Sequence, residues 1–137
     1  MSAAVVLGPV FLQVALTLSL LVWSGTVRVR SVRSGVVHSR DIALGQRNWP
    51  KRVQQVSNAF NNQWESPTLF YAGIAFAMIA GEGGALLVAL AWIYVATRIA
   101  HALVYVTTNF IPLRFAVFIT GFTVLVVFWV ALAARVI

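Results

Sequence analysis

The side chains able to do chemistry fall into two stripes. One holds Lys51, Gln54, Asn58, Asn61, Asn62 and Glu65; the other holds Tyr94, Arg98, His101 and Tyr105. Most intervals are three or four residues, which gathers each set on one side of a helix. Both stripes lie in or against long apolar runs, where a charge at mid-bilayer depth costs at least ~2.5 kcal/mol. Such groups persist where they face one another, a water-filled cavity or a ligand. The stripes therefore predict a polar pocket inside a membrane bundle. Carboxamides and Glu65 suit an ammonium group and backbone-like amides. Arg98, His101 and Tyr105, with Arg114 just after Pro112, suit an anion, because a guanidinium stabilises a thiolate, phosphate or carboxylate. Plainer readings compete. The amides could be interhelical glue or lie in water ahead of a later span. Arg98 and Glu65 could be a structural ion pair, His101 a satisfied hydrogen-bonder, and Arg114 a headgroup anchor.

The elements that must hold these groups are membrane spans. Of 137 residues, 61% are hydrophobic and only 9% charged, against roughly 25% charged in a soluble domain. A single integral membrane domain is expected. Four segments can cross a ~30 Å core: about residues 5–27, 58–80, 85–108 and 115–134. The first lacks the basic start and short apolar run of a cleavable signal peptide. Pro67 should bend the second next to Glu65. Gly81-Glu82-Gly83-Gly84 and Asn109-Phe110-Ile111-Pro112 break the later ones.

Seven of the ten basic residues (Arg28, Arg30, Arg33, Arg40, Arg47, Lys51 and Arg52) lie in the stretch 28–57, which has Asp41 as its one acid. That placement marks a cytoplasmic loop, part helix and part irregular, with both termini outside. It favours contact with anionic lipid over nucleic acid. Trp23, Trp49 and Trp64 read as interfacial belt residues, and Trp92 and Trp129 as packing residues. With no cysteine and two histidines, disulfides, thiolate metal sites, a protein-borne thiol nucleophile and a histidine-rich metal site are not expected.

Three motifs resemble the MAPEG superfamily, the membrane-associated proteins in eicosanoid and glutathione metabolism. Arg98-Ile99-Ala100-His101-Ala102-Leu103-Val104-Tyr105, followed by Pro112 and Arg114, resembles the family's third-helix motif. Ser24-Gly25-Thr26-Val27-Arg28-Val29-Arg30 resembles the end of its first helix. Asn62-Gln63-Trp64-Glu65 with Pro67 and Phe70 is similar to its second-helix signature, in the wording of small bacterial members. The resemblance covers nearly the whole chain. It implies a homotrimer of four-helix subunits, with glutathione between neighbouring subunits near the cytoplasmic face. By position, Arg28, Asn62, Glu65, His101 and Tyr105 are its implied binding residues, and Arg114 the arginine that stabilises its thiolate. A free thiol has a pKa of ~8.5, and a nearby cation lowers it. The second reactant is implied to be a lipophilic electrophile or hydroperoxide arriving from the bilayer.

The sequence departs from the family where well-characterised members carry arginine seven and often four residues before the glutamate: here stand Asn58 and Asn61. An amide gives up most of a charge-assisted contact worth ~1.5–3 kcal/mol. Phe115 follows Arg114 where some members offer serine.

The expected protein is thus an all-α, four-helix integral membrane bundle forming a closed trimer, in a bacterial inner membrane. Its expected activity is that of a glutathione-dependent transferase or peroxidase. Arg114 is the expected catalytic residue; Arg28, Asn58, Asn62, Glu65, Arg98, His101 and Tyr105 are the expected glutathione-binding residues, and no metal is expected. The opposing class is a non-enzymatic lipid-binding or accessory subunit with the same fold. A small transporter is a third reading, disfavoured by four spans without an internal repeat.

Overall fold

A computed structural model describes residues 3–45 and 48–137; Arg47, counted in the basic stretch, lies outside the described residues. The described residues form α1 (Ala3–Arg33), α2 (Lys51–Asn61), α3 (Ser66–Ile79), α4 (Ala85–Val106) and α5 (Ile111–Val136), with 3₁₀ turns at Ser39–Asp41 and Asn62–Trp64. The fold is all-helical. α1, α4 and α5 are each long and apolar enough to cross a membrane. Large apolar side chains face outward: Val22, Ile79 and Phe115 are 68%, 81% and 63% exposed. Apolar surface on this scale is suited to lipid rather than water.

Three boundaries differ from the sequence expectation. α1 continues to Arg33, so Arg28, Arg30 and Arg33 are helical rather than in a loop. The segment 58–80 is two helices rather than one bent helix. Pro67 sits in the first turn of α3, where its missing N–H would have had no helical partner anyway. α5 starts at Ile111, which places Arg114 in its first turn. The amphipathic α2 occupies the end of the basic stretch and buries Val53, Val56 and Ala59.

The interior has a polar layer between two apolar clusters. The larger includes Val6, Phe70, Ile74, Tyr94, Val95 and Phe128; the smaller holds Leu20, Ala59, Ala102 and Val106. Between them along the chain lie Gln13 and Thr17 on α1, Asn62 and Gln63 in the turn, and Arg98 and His101 on α4. The helix break falls in this layer, where polar partners can satisfy its freed backbone groups.

Close approach fixes the helix packing. A Cβ on Gly73 of α3 would lie 2.8 Å from the Phe128 ring on α5. At the basic end, α2 caps α4. Gln55 Nε2 donates to the carbonyls of Tyr105 (2.7 Å) and Thr107 (3.1 Å), and Arg52 donates to that of Val106. These are the carbonyls a helix end leaves without partners, and the Arg52 cation also suits the negative end of the α4 dipole.

Candidate functional site

The site starts from the break between α2 and α3. Its 3₁₀ turn presents consecutive side chains to different helices. Gln63 is buried toward α1, where its Oε1 accepts from Gln13 Nε2 (2.9 Å) and its own Nε2 donates to the Ala59 carbonyl (3.1 Å). Asn62 faces α4. Arg98, 2% exposed, donates from one Nη to the Asn62 carbonyl (3.0 Å) and to Asn62 Oδ1 (2.6 Å). Asn62 Nδ2 in turn donates to Glu65 Oε2 at 2.7 Å. Both polar atoms of the Asn62 amide are thereby engaged. Arg98 and Glu65 communicate through Asn62 rather than as an ion pair. The ion pairs among the described residues are Arg40–Asp41 and Arg135–Glu82. Glu65 stands immediately before α3, where its carboxylate suits the positive end of the helix dipole.

The opposite wall comes from the junction of α4 and α5. Asn109 takes the left-handed conformation (φ 50°) that ends α4, which asparagine tolerates better than most residues. Its Oδ1 accepts a hydrogen bond from Arg114. The Arg114 guanidinium also lies 4.2 Å from the Tyr105 ring centroid, a cation–π contact. His101, 4% exposed, meets Tyr105 and Phe118 at ring distances of 5.8 and 6.0 Å. Its Nδ1 is buried without a hydrogen-bond partner among the described residues.

These walls enclose a cleft of about 270 Å³ lined by Asn62, Glu65, His101, Tyr105, Arg114 and Phe115, with Ile111 and Phe118. Five expected site residues meet there: Asn62, Glu65, His101, Tyr105 and Arg114. Three do not. Arg98 lies behind Asn62 and holds it. Asn58 is exposed on α2 and does not line the cleft. Arg28 donates from Nε to Ser57 Oγ (3.0 Å) and lies 5.4 Å from the Trp49 ring centroid, lining a different cleft.

Sequence reasoning missed the Gln13–Gln63 pair, the Ser24–Ser57 hydrogen bond (2.9 Å) and the role of Asn109. One signal was available. Gln13, Thr17, Ser24 and Arg28 recur at intervals of four, seven and four, a polar face on α1.

A carboxylate across from an anchored guanidinium can take a zwitterion, its ammonium toward Glu65 and its anion toward Arg114. The residues fit a thiol tripeptide in kind. Arg114 has N–H donors beyond the one spent on Asn109, and His101 Nδ1 is free to bond. The cleft volume lies just under the ~300–1,000 Å³ of ordinary ligand pockets, so one chain encloses only part of a ligand of that size.

A helical bundle with lipid-suited outer faces and an internal polar cleft is an integral membrane protein. The chain belongs to the MAPEG family, whose model matches residues 6–134. It is therefore a membrane protein of the glutathione and eicosanoid metabolism superfamily. No curated protein and no solved structure matches it.

Proposed function

We propose that this protein is a glutathione-dependent transferase or peroxidase acting on lipophilic electrophiles. The observation that carries the reading is the anchored Arg114. Asn109 and the Tyr105 ring fix its guanidinium in a cleft whose other wall holds Glu65. Bound there, glutathione would supply a thiol that is nucleophilic as the thiolate. Arg114 favours that anion electrostatically, in a site where Phe115 and Phe118 limit water. Glu65, oriented by Asn62, receives an ammonium group. The partly enclosing cleft supports a closed homotrimer in which a neighbouring copy completes the site. The basic end faces the cytoplasm of a bacterial inner membrane, following the positive-inside rule.

The alternative is a non-enzymatic lipid-binding or accessory member. Asn58 and Asn61 favour it. Both are exposed on the face where the family's arginines would add cations for a ligand's carboxylates.

Calorimetric titration with glutathione and a conjugation assay with a hydrophobic electrophile separate the two. Arg114→Ala should lower turnover by more than it weakens binding, because its charge acts mainly on the thiolate. Asn58 is one helical turn before Asn62, within an arginine's reach of the cleft. Asn58→Arg should therefore tighten binding. No binding at millimolar glutathione by the wild type, and no rescue by Asn58→Arg, would remove the enzyme reading and leave the binder.

A further inference from the structure

The groups that hold Arg114 leave its positive charge unpaired. Its guanidinium donates to the Asn109 side-chain carbonyl and lies over the Tyr105 ring. One contact is an amide and the other a ring face, so neither brings a counter-charge. The carboxylate of the cleft, Glu65, stands on the other wall and accepts from Asn62. The ion pairs among the described residues do not include Arg114.

Asn109 reaches the arginine because of how α4 ends. Its N–H returns to the Val104 carbonyl (2.8 Å), and its φ is 50°. Gln55 from α2 bridges the Tyr105 and Thr107 carbonyls in the turn just before it. The backbone of Asn109 is thereby fixed where its side chain meets the first turn of α5. Glycine, asparagine and aspartate enter the left-handed region most readily. Glycine has no side-chain acceptor, and aspartate adds a negative charge. Of these three, asparagine alone combines the left-handed turn with a neutral acceptor. The difference matters for chemistry at the guanidinium. A carboxylate bonded to it would offset much of the field that a nearby anion feels, whereas an amide leaves that field available.

We infer that Asn109 is a positioning residue: it holds Arg114 at the cleft through a neutral contact, so that the full cationic charge acts on a bound thiol. The inference rests on the proposed glutathione chemistry. It adds to that chemistry a residue outside the motifs that carry the family resemblance, and it acts through Arg114 rather than by touching the ligand.

Asn109→Asp and Asn109→Gly separate the anchor from the turn, because both new residues accept a left-handed backbone. The full chain, purified in mild detergent, is titrated with glutathione by calorimetry. The bound thiolate is followed by its ultraviolet absorbance as pH is raised, and turnover is read with a hydrophobic electrophile. The other charged and titratable groups at the cleft are Glu65, His101 and Tyr105, with Arg98 behind Asn62. None of them is altered, so their effect is common to the wild type and both variants. The wild type should ionise the bound thiol below the ~8.5 of a free thiol. Asn109→Asp pairs the guanidinium and should raise that value by about one unit. Asn109→Gly keeps the turn but releases the arginine, and should lower turnover at saturating glutathione roughly tenfold, with little change in glutathione affinity. Were Asn109 needed only for the turn, glycine would match the wild type in thiol ionisation and turnover, and that result overturns the inference. Unmoved thiol ionisation in a folded Asn109→Asp overturns it as well. Should Asn109→Asp fail to fold, Asn109→Gly decides alone. A wild type that binds no glutathione removes the proposed function and the inference together. Binding by the wild type, with thiol ionisation and turnover unmoved in both variants, removes the inference alone.

Discussion

The Arg98–Asn62 contact sets the geometry of the cleft, and its strength can be worked out before it is measured. Arg98→Met removes the buried cation while keeping much of the side-chain volume. Asn62→Ala removes Oδ1 but leaves the Asn62 carbonyl, which accepts separately from Arg98. A double-mutant cycle on the two therefore isolates the 2.6 Å side-chain bond. Charge-assisted hydrogen bonds in soluble proteins are worth ~1.5–3 kcal/mol. Cycles across membrane helices average only ~0.6 and reach ~1.7 kcal/mol, because the unfolded chain in lipid finds other partners. The bond is short, ionic and made by a buried guanidinium to a half-buried amide, so the upper part of the membrane range applies, and a coupling of about 1.5 kcal/mol is expected. Unfolding of the four proteins by titrating sodium dodecyl sulfate into mild detergent measures it. Arg98→Met should also weaken ligand binding without touching the ligand, because Asn62 then holds Glu65 less firmly. A coupling below about 0.5 kcal/mol would refute the view that this bond locks the turn. Loss of stability with unchanged binding would refute the link to Glu65.

Gly73→Ala should destabilise the bundle by ~1–3 kcal/mol in the same unfolding assay, since the added methyl meets the Phe128 ring at 2.8 Å; a neutral result would mean that α3 and α5 can part freely. Alkaline phosphatase fused at the C-terminus should be active and a fusion at residue 40 inactive; the reverse pattern would invert the proposed topology. Native mass spectrometry in mild detergent should find a trimer, and monomer alone would count against completion of the cleft by a neighbouring copy.

The all-helical fold was legible because apolar runs of span length leave few alternatives in a membrane. The gathering of His101 and Tyr105 follows from helical spacing on α4, whereas Asn62 and Glu65 reach the same cleft from the helix break and Arg114 from the first turn of α5. Two kinds of information were less legible. The break at residues 62–65 depends on tertiary partners for the freed backbone groups: Arg98 from α4 takes the Asn62 carbonyl. Pro67 alone is compatible with either a kink or a new start. The reach of arginine side chains is also not fixed by spacing. Arg98 shares a stripe with His101 and Tyr105, yet its guanidinium turns to the helix break while their rings line the cleft. Arg28 is held by Ser57 and Trp49, residues from a stretch whose local structure the sequence left part irregular.

The turn at Asn62 and Gln63 explains how one short polar motif can serve both the fold and the proposed site. An unbroken helix would place these two side chains about 100° apart and leave its backbone carbonyls internally bonded. With the helix interrupted, Gln63 engages Gln13 on α1 while Asn62 and its carbonyl engage Arg98 on α4. The same amide then orients Glu65. A cation in the bundle interior is thus tied to the carboxylate in the cleft without neutralising it directly, as a salt bridge would. Glu65 keeps one carboxylate oxygen beyond the Asn62 contact, and that oxygen is what an ammonium-bearing ligand requires.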